Sequence, residues 1–411
     1  MSIFKKATSA TDYLPEKEFI ALFALMMSLT ALSMDAILPA FSHIAADLNI
    51  QDYQQTQWII SAMVFGMVFG EIVFGPLSDT LGRKKSIFLG VGIFIIGSFI
   101  ALLASSLTML LVGRMIQGLG VSGPKIVSRA MIRDMYKGAA MARIMSYVMM
   151  IFILVPLLAP FLGQLVMLLG SWRWVFAVLI AQALIASIWM WLRQPETLPK
   201  EKRVPFVFSQ IAQNTYLIVS RRDVMAFTLL LGCVFACVMF YISIAQSIFQ
   251  DIYQVGERFP LYFALLAIGS SLVNFFNAKI VMRIGMKRCV YGALMIMISL
   301  SFLLLVVVWS FDGVPPFHLF MGICMVLFSC LSMVFGNVNA MAMEPLGQTA
   351  GLGASIISSL SSFIAIILSV TVGLFYHFTL TPLAAGFLVF SCIAIACLVF
   401  ATRSSSGNLD R

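Results

Sequence analysis

The chain has very little charge for its length. Only 10% of its 411 residues are Asp, Glu, Lys or Arg, and 61% are apolar, whereas about 25% of the residues of a typical soluble domain are charged. So few charged side chains cannot cover a water-exposed surface of this size, and apolar side chains must therefore face lipid. This composition excludes a soluble enzyme or a soluble binding module and predicts a protein that crosses the membrane many times.

The patterns of common catalytic and metal sites are also missing from the sequence. It contains no phosphate-binding loop, no nucleophile elbow and no zinc-ligand spacing, and the seven cysteines all lie in or beside apolar runs, where they indicate packing residues. The string GLGVSG at residues 118–123 matches a dinucleotide-binding pattern, but it lies inside an apolar run. It therefore indicates a closely packed helix. We expect no catalytic residues, no metal and no bound cofactor.

Long apolar runs recur along the whole chain. A helix that crosses the bilayer needs about 20 mostly apolar residues. By that measure the sequence predicts twelve spans and an all-α fold. The predicted spans are 19–41, 56–77, 86–105, 107–128, 144–168, 172–192, 224–249, 260–282, 289–310, 317–342, 351–376 and 381–401.

The net charge of +9 comes from basic residues in alternate loops. They precede span one and follow spans two, four, six and eight, and the opposite loops carry few. Since positive loops stay in the cytoplasm, both termini are predicted to be cytoplasmic, as in a multi-pass protein of the bacterial inner membrane. The charge is spread over many loops, so we expect the lipid bilayer as a partner and no nucleic acid.

The longest polar connector divides the predicted spans into two sets of six. The predicted parts are an N-terminal bundle at 1–193, a cytoplasmic linker with a membrane-surface helix at 194–223, and a C-terminal bundle at 224–411. TLGRKK at residues 80–85 recurs weakly as RIGMKR at residues 283–288. Two such repeats would hold a small-molecule substrate near the membrane midplane between them.

Four strings carry a resemblance to a known family. GPLSDTLGRKK at residues 75–85 resembles the loop signature of the major facilitator superfamily. RMIQGLG at residues 114–120 resembles the motif with the buried arginine of its proton-coupled members, and PLLAPFLG at residues 156–163 resembles the motif of its exporters. RAMIRD at residues 129–134, with later strings, is similar to the Bcr/CflA-type multidrug efflux subfamily.

The resemblance implies a fold and two sets of functional residues. The fold has twelve helices in two pseudo-symmetric six-helix bundles, which we expect to work as a monomer. The implied residues of the cytoplasmic gate are Gly75, Asp79, Gly82, Arg83, Arg133 and Asp134. Those of the exporter motif are Pro156, Pro160 and Gly163.

Ionisable residues within spans are costly and therefore indicate function. We predict that Asp35 carries the coupling proton and that Arg114, at similar depth, tunes it; the alternative is a purely structural ion pair between them. Glu71 is interpreted as a second proton site or a contact for a cationic substrate, or else as a structural partner of Lys125 or Arg129. Lys125 is expected to extend to the cytoplasmic surface.

Polar and deformable side chains inside the spans are the predicted lining of the substrate cavity, because such groups avoid lipid or adapt to varied ligands. They are Met149, Phe152, Tyr241, Gln246, Asn274, Asn277, Phe335, Asn337 and Asn339.

The function that these patterns favour is export of small amphipathic or apolar compounds, such as drugs, in exchange for protons. The alternatives are a dedicated exporter of one endogenous metabolite, such as a siderophore, or an uptake symporter. A membrane-embedded enzyme or a sensor would need a catalytic cluster in a loop or an added soluble domain, and the sequence contains neither.

Overall fold

The computed structural model describes residues 14–51, 53–136, 138–205 and 208–406. In these ranges the regular secondary structure is all helical, without strands. The helices are α1 Glu16–Asp35, α2 Phe41–Asp47, α3 Trp58–Leu81, α4 Arg83–Leu102, α5 Leu107–Met135, α6 Gly138–Met167, α7 Arg173–Arg193, α8 Phe208–Val219, α9 Arg222–Gln246, α10 Phe259–Ile284, α11 Met286–Ser310, α12 Phe317–Met343, α13 Ala350–Gly373 and α14 Thr381–Ser406.

A helix stands at each of the twelve predicted spans, and the predicted fold class is confirmed. Within the described residues, nine helical segments are long and apolar enough to cross a membrane. The other three spans correspond to α5, which carries several charged residues, and to α6 and α10, which contribute shorter apolar stretches at Leu158–Met167 and Phe259–Ser270.

The first and fourth spans differ from their predicted limits. Helix α1 ends at Asp35, a 3-10 turn occupies Leu38–Ala40, and α2 continues to Asp47. Pro39 explains the break, because proline has no N–H to donate and its ring blocks a continuing α-helix. Helix α5 instead runs past its predicted end to Met135, so that Asp134 lies in its last turn.

Helix α5 packs closely between α3 and α4, and glycine makes this possible. A Cβ atom on Gly118 would collide with the carbonyl oxygen of Met63 in α3, and one on Gly120 would collide with the backbone of Phe94 in α4. Only hydrogen fits at these two positions. The interpretation of residues 118–123 as a packing motif is therefore confirmed.

The helices before residue 194 pack mainly on one another, as do those after residue 221. Between the two sets, α3 packs on α13 and α6 packs on α10. The hydroxyl of Ser359 in α13 donates to the carbonyl of Val68 in α3 at 2.7 Å, and this bond is buried. Helix α8 lies in the connector, as expected; its position at the membrane surface and the three-part division of the chain stay predictions.

The packing of α5 can be tested with two glycines in neighbouring helices. Gly118→Ala is expected to destabilise the protein by about 1–3 kcal/mol, because the new methyl group displaces the α3 backbone. Gly92→Ala in α4 is the control, since nothing lies within 4 Å of the added carbon, and alanine is the better helix former. Thermal unfolding of the purified protein measures the difference. Equal unfolding temperatures of the two variants would contradict the proposed packing.

Candidate functional site

Arg114 is a fully buried side chain that joins three helices. From α5, its Nη1 donates to the carbonyl of Ser33 at 3.0 Å and its Nε donates to the carbonyl of Ile59 at 3.2 Å. Ser33 lies in the last turn of α1, where carbonyl groups lose their helical partners and the helix dipole is negative. The guanidinium therefore caps the end of α1 at the break.

A fourth helix is joined through Gln117, one turn further along α5. The Oε1 of Gln117 accepts from Arg114 at 2.5 Å, and its Nε2 donates to the hydroxyl of Ser98 in α4 at 2.8 Å. Sequence reasoning did not single out Gln117 or Ser98. The three-residue spacing of Arg114 and Gln117 places both side chains on one face of the helix, and this spacing could have predicted their contact.

Asp35 is buried at the broken end of α1, and its Oδ1 makes no hydrogen bond with the described part of the chain. Arg114 reaches Ser33, two residues earlier, and forms no ion pair with Asp35. The alternative of a standing ion pair between the two is therefore wrong for this conformation. One nitrogen of Arg114, Nη2, is also buried without a partner among the described residues. Because Nη1 of the same guanidinium binds the carbonyl of Ser33, this unpartnered donor belongs to a side chain that contacts α1 two residues before Asp35.

The exporter motif in α6 packs against this break. A Cβ atom on Gly163 would overlap the carbonyl of Ala36, the residue that follows Asp35. Pro156 and Pro160 lie within α6, about two turns and about one turn before Gly163, respectively. The glycine allows the backbone of α6 to lie directly against the end of α1, so the motif shapes the surroundings of Asp35.

Glu71 and Lys125 form an ion pair between α3 and α5. The Nζ of Lys125 lies 2.5 Å from Oε1 of Glu71, whose side chain is 0% exposed against 16% for Lys125. The interpretation of Lys125 as a side chain that extends to the cytoplasmic surface is wrong, because the buried carboxylate holds it. The predicted pairing of Glu71 with Lys125 is therefore present in the structure. A role of the pair in proton transfer or substrate binding stays a prediction.

Arg83 organises a polar cluster at the opposite end of the bundle from Asp35. Its side chain donates to Asp79 at 2.5 Å, to Asp134 at 2.8 Å and to Ser78 at 2.8 Å. Gly82 precedes it with a φ of +99°, a conformation that favours glycine. The predicted gate residues Asp79, Gly82, Arg83 and Asp134 are therefore together in space.

Two other predicted gate residues lie outside this cluster. Gly75 faces α13, because a Cβ atom there would lie 2.9 Å from the hydroxyl oxygen of Ser355. Arg133 is exposed and makes no ion pair with the described residues. Its neighbour Asp134 is the member of that string that contacts Arg83.

Sequence reasoning missed Glu196, which attaches the connector to the cluster. Its carboxylate accepts from the backbone N–H groups of Arg83 at 3.0 Å and Lys84 at 3.1 Å. These are among the first N–H groups of α4, which have no partner within the helix. Further along the connector, the N–H of Val204 donates to the carbonyl of Asp79 at 3.2 Å. A lone Glu in a polar connector gives no signal for capping a helix that begins over a hundred residues earlier.

The predicted cavity residues are distributed over several environments. Asn277 and Asn337 donate to each other at 3.3 and 3.0 Å, joining α10 and α12. Phe335 and Asn339 are exposed on one face of α12. Tyr241 is buried, with its ring centroid 4.5 Å from that of Phe328. The side chains of Met149, Phe152 and Asn274 lie outside the described part of the structure.

Gln246 does not line a cavity in this conformation, contrary to the prediction. Its Oε1 accepts from the N–H of Phe41 at 3.0 Å, and its Nε2 donates to the hydroxyl of Ser42 at 3.0 Å. The buried amide thus connects α9 to the first turn of α2. It is a contact between the two sets of helices because both ends of its side chain find partners there.

Buried charges within a bundle of spanning helices mark the paths of ions, protons or substrates in membrane proteins. The chain belongs to the Major Facilitator Superfamily, whose family model matches residues 23–370. The resemblance seen in the sequence is thereby confirmed, and relatives named for drug resistance support its assignment to the drug-efflux group.

Two relatives and one solved structure illustrate the similarity. The chain is 27% identical over 389 residues to a bicyclomycin resistance protein homolog of Haemophilus influenzae. The matched region covers 93% of this chain and 95% of the relative. The chain is 28% identical over 291 residues to the chloramphenicol resistance protein CraA of Acinetobacter baumannii, 68% of each chain. A crystal structure of a D-xylose-proton symporter has the same fold, with a TM-score of 0.73, 14% identity and coverage of 94% and 97%.

The attachment of the connector can be tested at Glu196. Glu196→Ala is expected to lower the free energy of unfolding by about 1 kcal/mol, as loss of a helix N-cap does. It is also expected to speed trypsin cleavage at Lys200, Lys202 and Arg203, which the attachment holds in place. Asp312→Asn removes an equal charge from an exposed loop away from the connector and is the control. Mass spectrometry of timed digests locates the cut. Equal cleavage rates in both variants would show that Glu196 does not hold the connector.

Proposed function

We propose that this protein exports small amphipathic or apolar compounds, such as drugs, in exchange for protons across the bacterial inner membrane. The observation that carries the proposal is Asp35, a buried carboxyl at a helix break, two residues after the carbonyl group of Ser33 that Arg114 caps. Protons are the coupling ion, and no cofactor is needed. The protein works as a monomer with both termini in the cytoplasm.

The coupling step follows from the two unpartnered groups. A buried carboxylate without a cation is costly, so separation of Asp35 from Arg114 favours the protonated form. When the helices shift and Nη2 of Arg114 meets Oδ1 of Asp35, the ionised form is favoured and the proton leaves. Arg114 need not give up its bond to Ser33 for this, because Nη2 is a separate donor. One proton is taken up and released in each cycle at a single carboxyl group.

The direction of transport is supported by Gly163 and by the relatives. Gly163 allows the exporter motif of α6 to pack directly against Ala36, the residue after Asp35. The relatives described above are named for resistance to bicyclomycin and chloramphenicol. A transporter in the cell membrane can confer resistance by exporting the drug. A dedicated exporter of one compound is the second candidate, since the buried Glu71–Lys125 pair would select substrates by charge.

Asp35→Asn tests the coupling directly. The purified protein is expected to release protons when bicyclomycin or chloramphenicol is added, and the variant, which cannot titrate at this position, is expected to release none. Asp312→Asn is the control, because Asp312 is exposed in a loop and its positive φ is one that Asn also adopts. A pH-sensitive dye in weakly buffered solution reports the release.

Cells provide the second measurement for the same variants. Overproduction of the wild type and of Asp312→Asn should lower susceptibility to the transported compounds, and Asp35→Asn should not. Normal proton release by Asp35→Asn would refute the assignment of Asp35. Unchanged susceptibility to every compound with the wild type would favour the dedicated exporter.

A further inference from the structure

The Glu71–Lys125 pair lies where three helices meet. Val68 and Gly75 of α3 both contact serines of α13, through the hydroxyl of Ser359 and beside that of Ser355. Glu71 is three residues after Val68 and four before Gly75, so it lies on the same face of α3. Lys125 approaches it from α5. The pair therefore lies beside the contact between the two sets of helices, where relative movement opens or closes a path.

Lys125 is the accessible member of the pair. Glu71 is completely buried behind it, with Oε1 bound to the ammonium group and Oε2 without a partner among the described residues. A lysine ammonium has three donors, and of the described residues only Glu71 takes one of them. Any compound that reaches this place meets free N–H groups of a cation and has no direct access to the carboxylate.

Arg129 adds a second positive charge at this place. It follows Lys125 by one turn of α5 and is close enough to Glu71 for electrostatic interaction. Two cations thus share a single carboxylate. The excess positive charge, in a region of low dielectric constant, attracts an anionic group and repels a cationic one.

This place is separate from the proton site. Lys125 and Arg114 are eleven residues apart on α5, about three turns and about 16 Å, and they fall on the same side of the helix. The carboxyl of Asp35 lies near the Arg114 end. A group bound at Lys125 would therefore not touch Asp35 directly, and the two places can be tested independently.

We propose that Lys125, oriented and neutralised by Glu71, binds the anionic group of the transported compound, such as a carboxylate. In the empty site Glu71 balances the ammonium charge; when the anion arrives, Lys125 donates to it without leaving Glu71. This inference rests on the proposed transport function and adds a substrate class to it. The earlier interpretation of Glu71 as a contact for a cationic substrate does not fit, because Lys125 lies in front of it.

Three matched aromatic probes test this assignment on the full-length protein in lipid nanodiscs. They are 4-nitrobenzoate, 4-nitrobenzamide and 4-nitrobenzylammonium, which differ mainly in charge. Binding is measured by titration calorimetry. The wild type is expected to bind the benzoate at least about tenfold more tightly than the amide, as one charge-assisted hydrogen bond allows, and to bind the ammonium compound weakest.

The decisive variant is the double substitution Glu71→Gln with Lys125→Gln, which removes both charges of the ion pair, so that neither partner is left without the other. It should lose the preference for the benzoate and keep its affinity for the amide. Lys125→Arg should retain the preference, and Lys85→Gln, which removes an exposed positive charge elsewhere, should behave as the wild type. Benzoate binding that survives the double substitution would overturn the proposal. So would tightest binding of the ammonium compound, or no binding of any probe by the wild type.

The proposal and the proton-coupled function fail in different ways. Loss of the benzoate preference in the double variant, together with normal proton release by Asp35→Asn, would support the anion site and refute Asp35 as the coupling group. The reverse pair of results would support the coupling and refute the anion site.

Discussion

The broken end of α1 is the feature on which the surrounding structure depends. A helix that stops inside the membrane leaves carbonyl groups without partners, and lipid offers none. Arg114 supplies the partner for Ser33, and because it also binds Ile59 and Gln117 it joins α1, α3 and α5 at one point. A neutral side chain could satisfy the carbonyls. An arginine does so while also bringing a positive charge to the end of α1, and the proposed coupling at Asp35 depends on that charge.

The two ends of the N-terminal set of helices use charge in different ways. Around Arg83, the ions are partly open to water and are fully paired, which is the arrangement of a structural contact. Asp35 and Glu71 are buried, and each has a carboxyl oxygen that finds no partner in the described part of the chain. A buried carboxyl group with an unsatisfied oxygen lowers the stability of the fold. The occurrence of two such groups, Asp35 and Glu71, is therefore better explained by function than by stability.

The fold was predictable from the sequence, because apolar length and basic loops are properties of single segments. The break after Asp35 was harder to predict. Pro39 is present in the sequence, but a continuous apolar run has the same hydropathy whether it forms one helix or two. The string at residues 75–85 identified Asp79 and Arg83, yet Glu196 was missed because its contact joins residues over a hundred positions apart. Gln246 was misjudged for a related reason. A polar residue in a span must find a partner, but the sequence does not say whether that partner is a ligand or the backbone of another helix.

The pattern of close contacts also indicates which parts move during transport. The glycine contacts of α5 with α3 and α4 leave no space for these helices to slide, so the three must move as one body. Individual hydrogen bonds join the N-terminal helices to the C-terminal set, such as those from Ser359 to Val68 and from Phe41 to Gln246. Breaking the Gln246 contact would release the helix that follows the break after Asp35, and a shift of α13 along α3 would change the contacts next to Glu71. Opening at either contact would therefore change the surroundings of one buried charge site and leave the other in place, which is what alternating access requires.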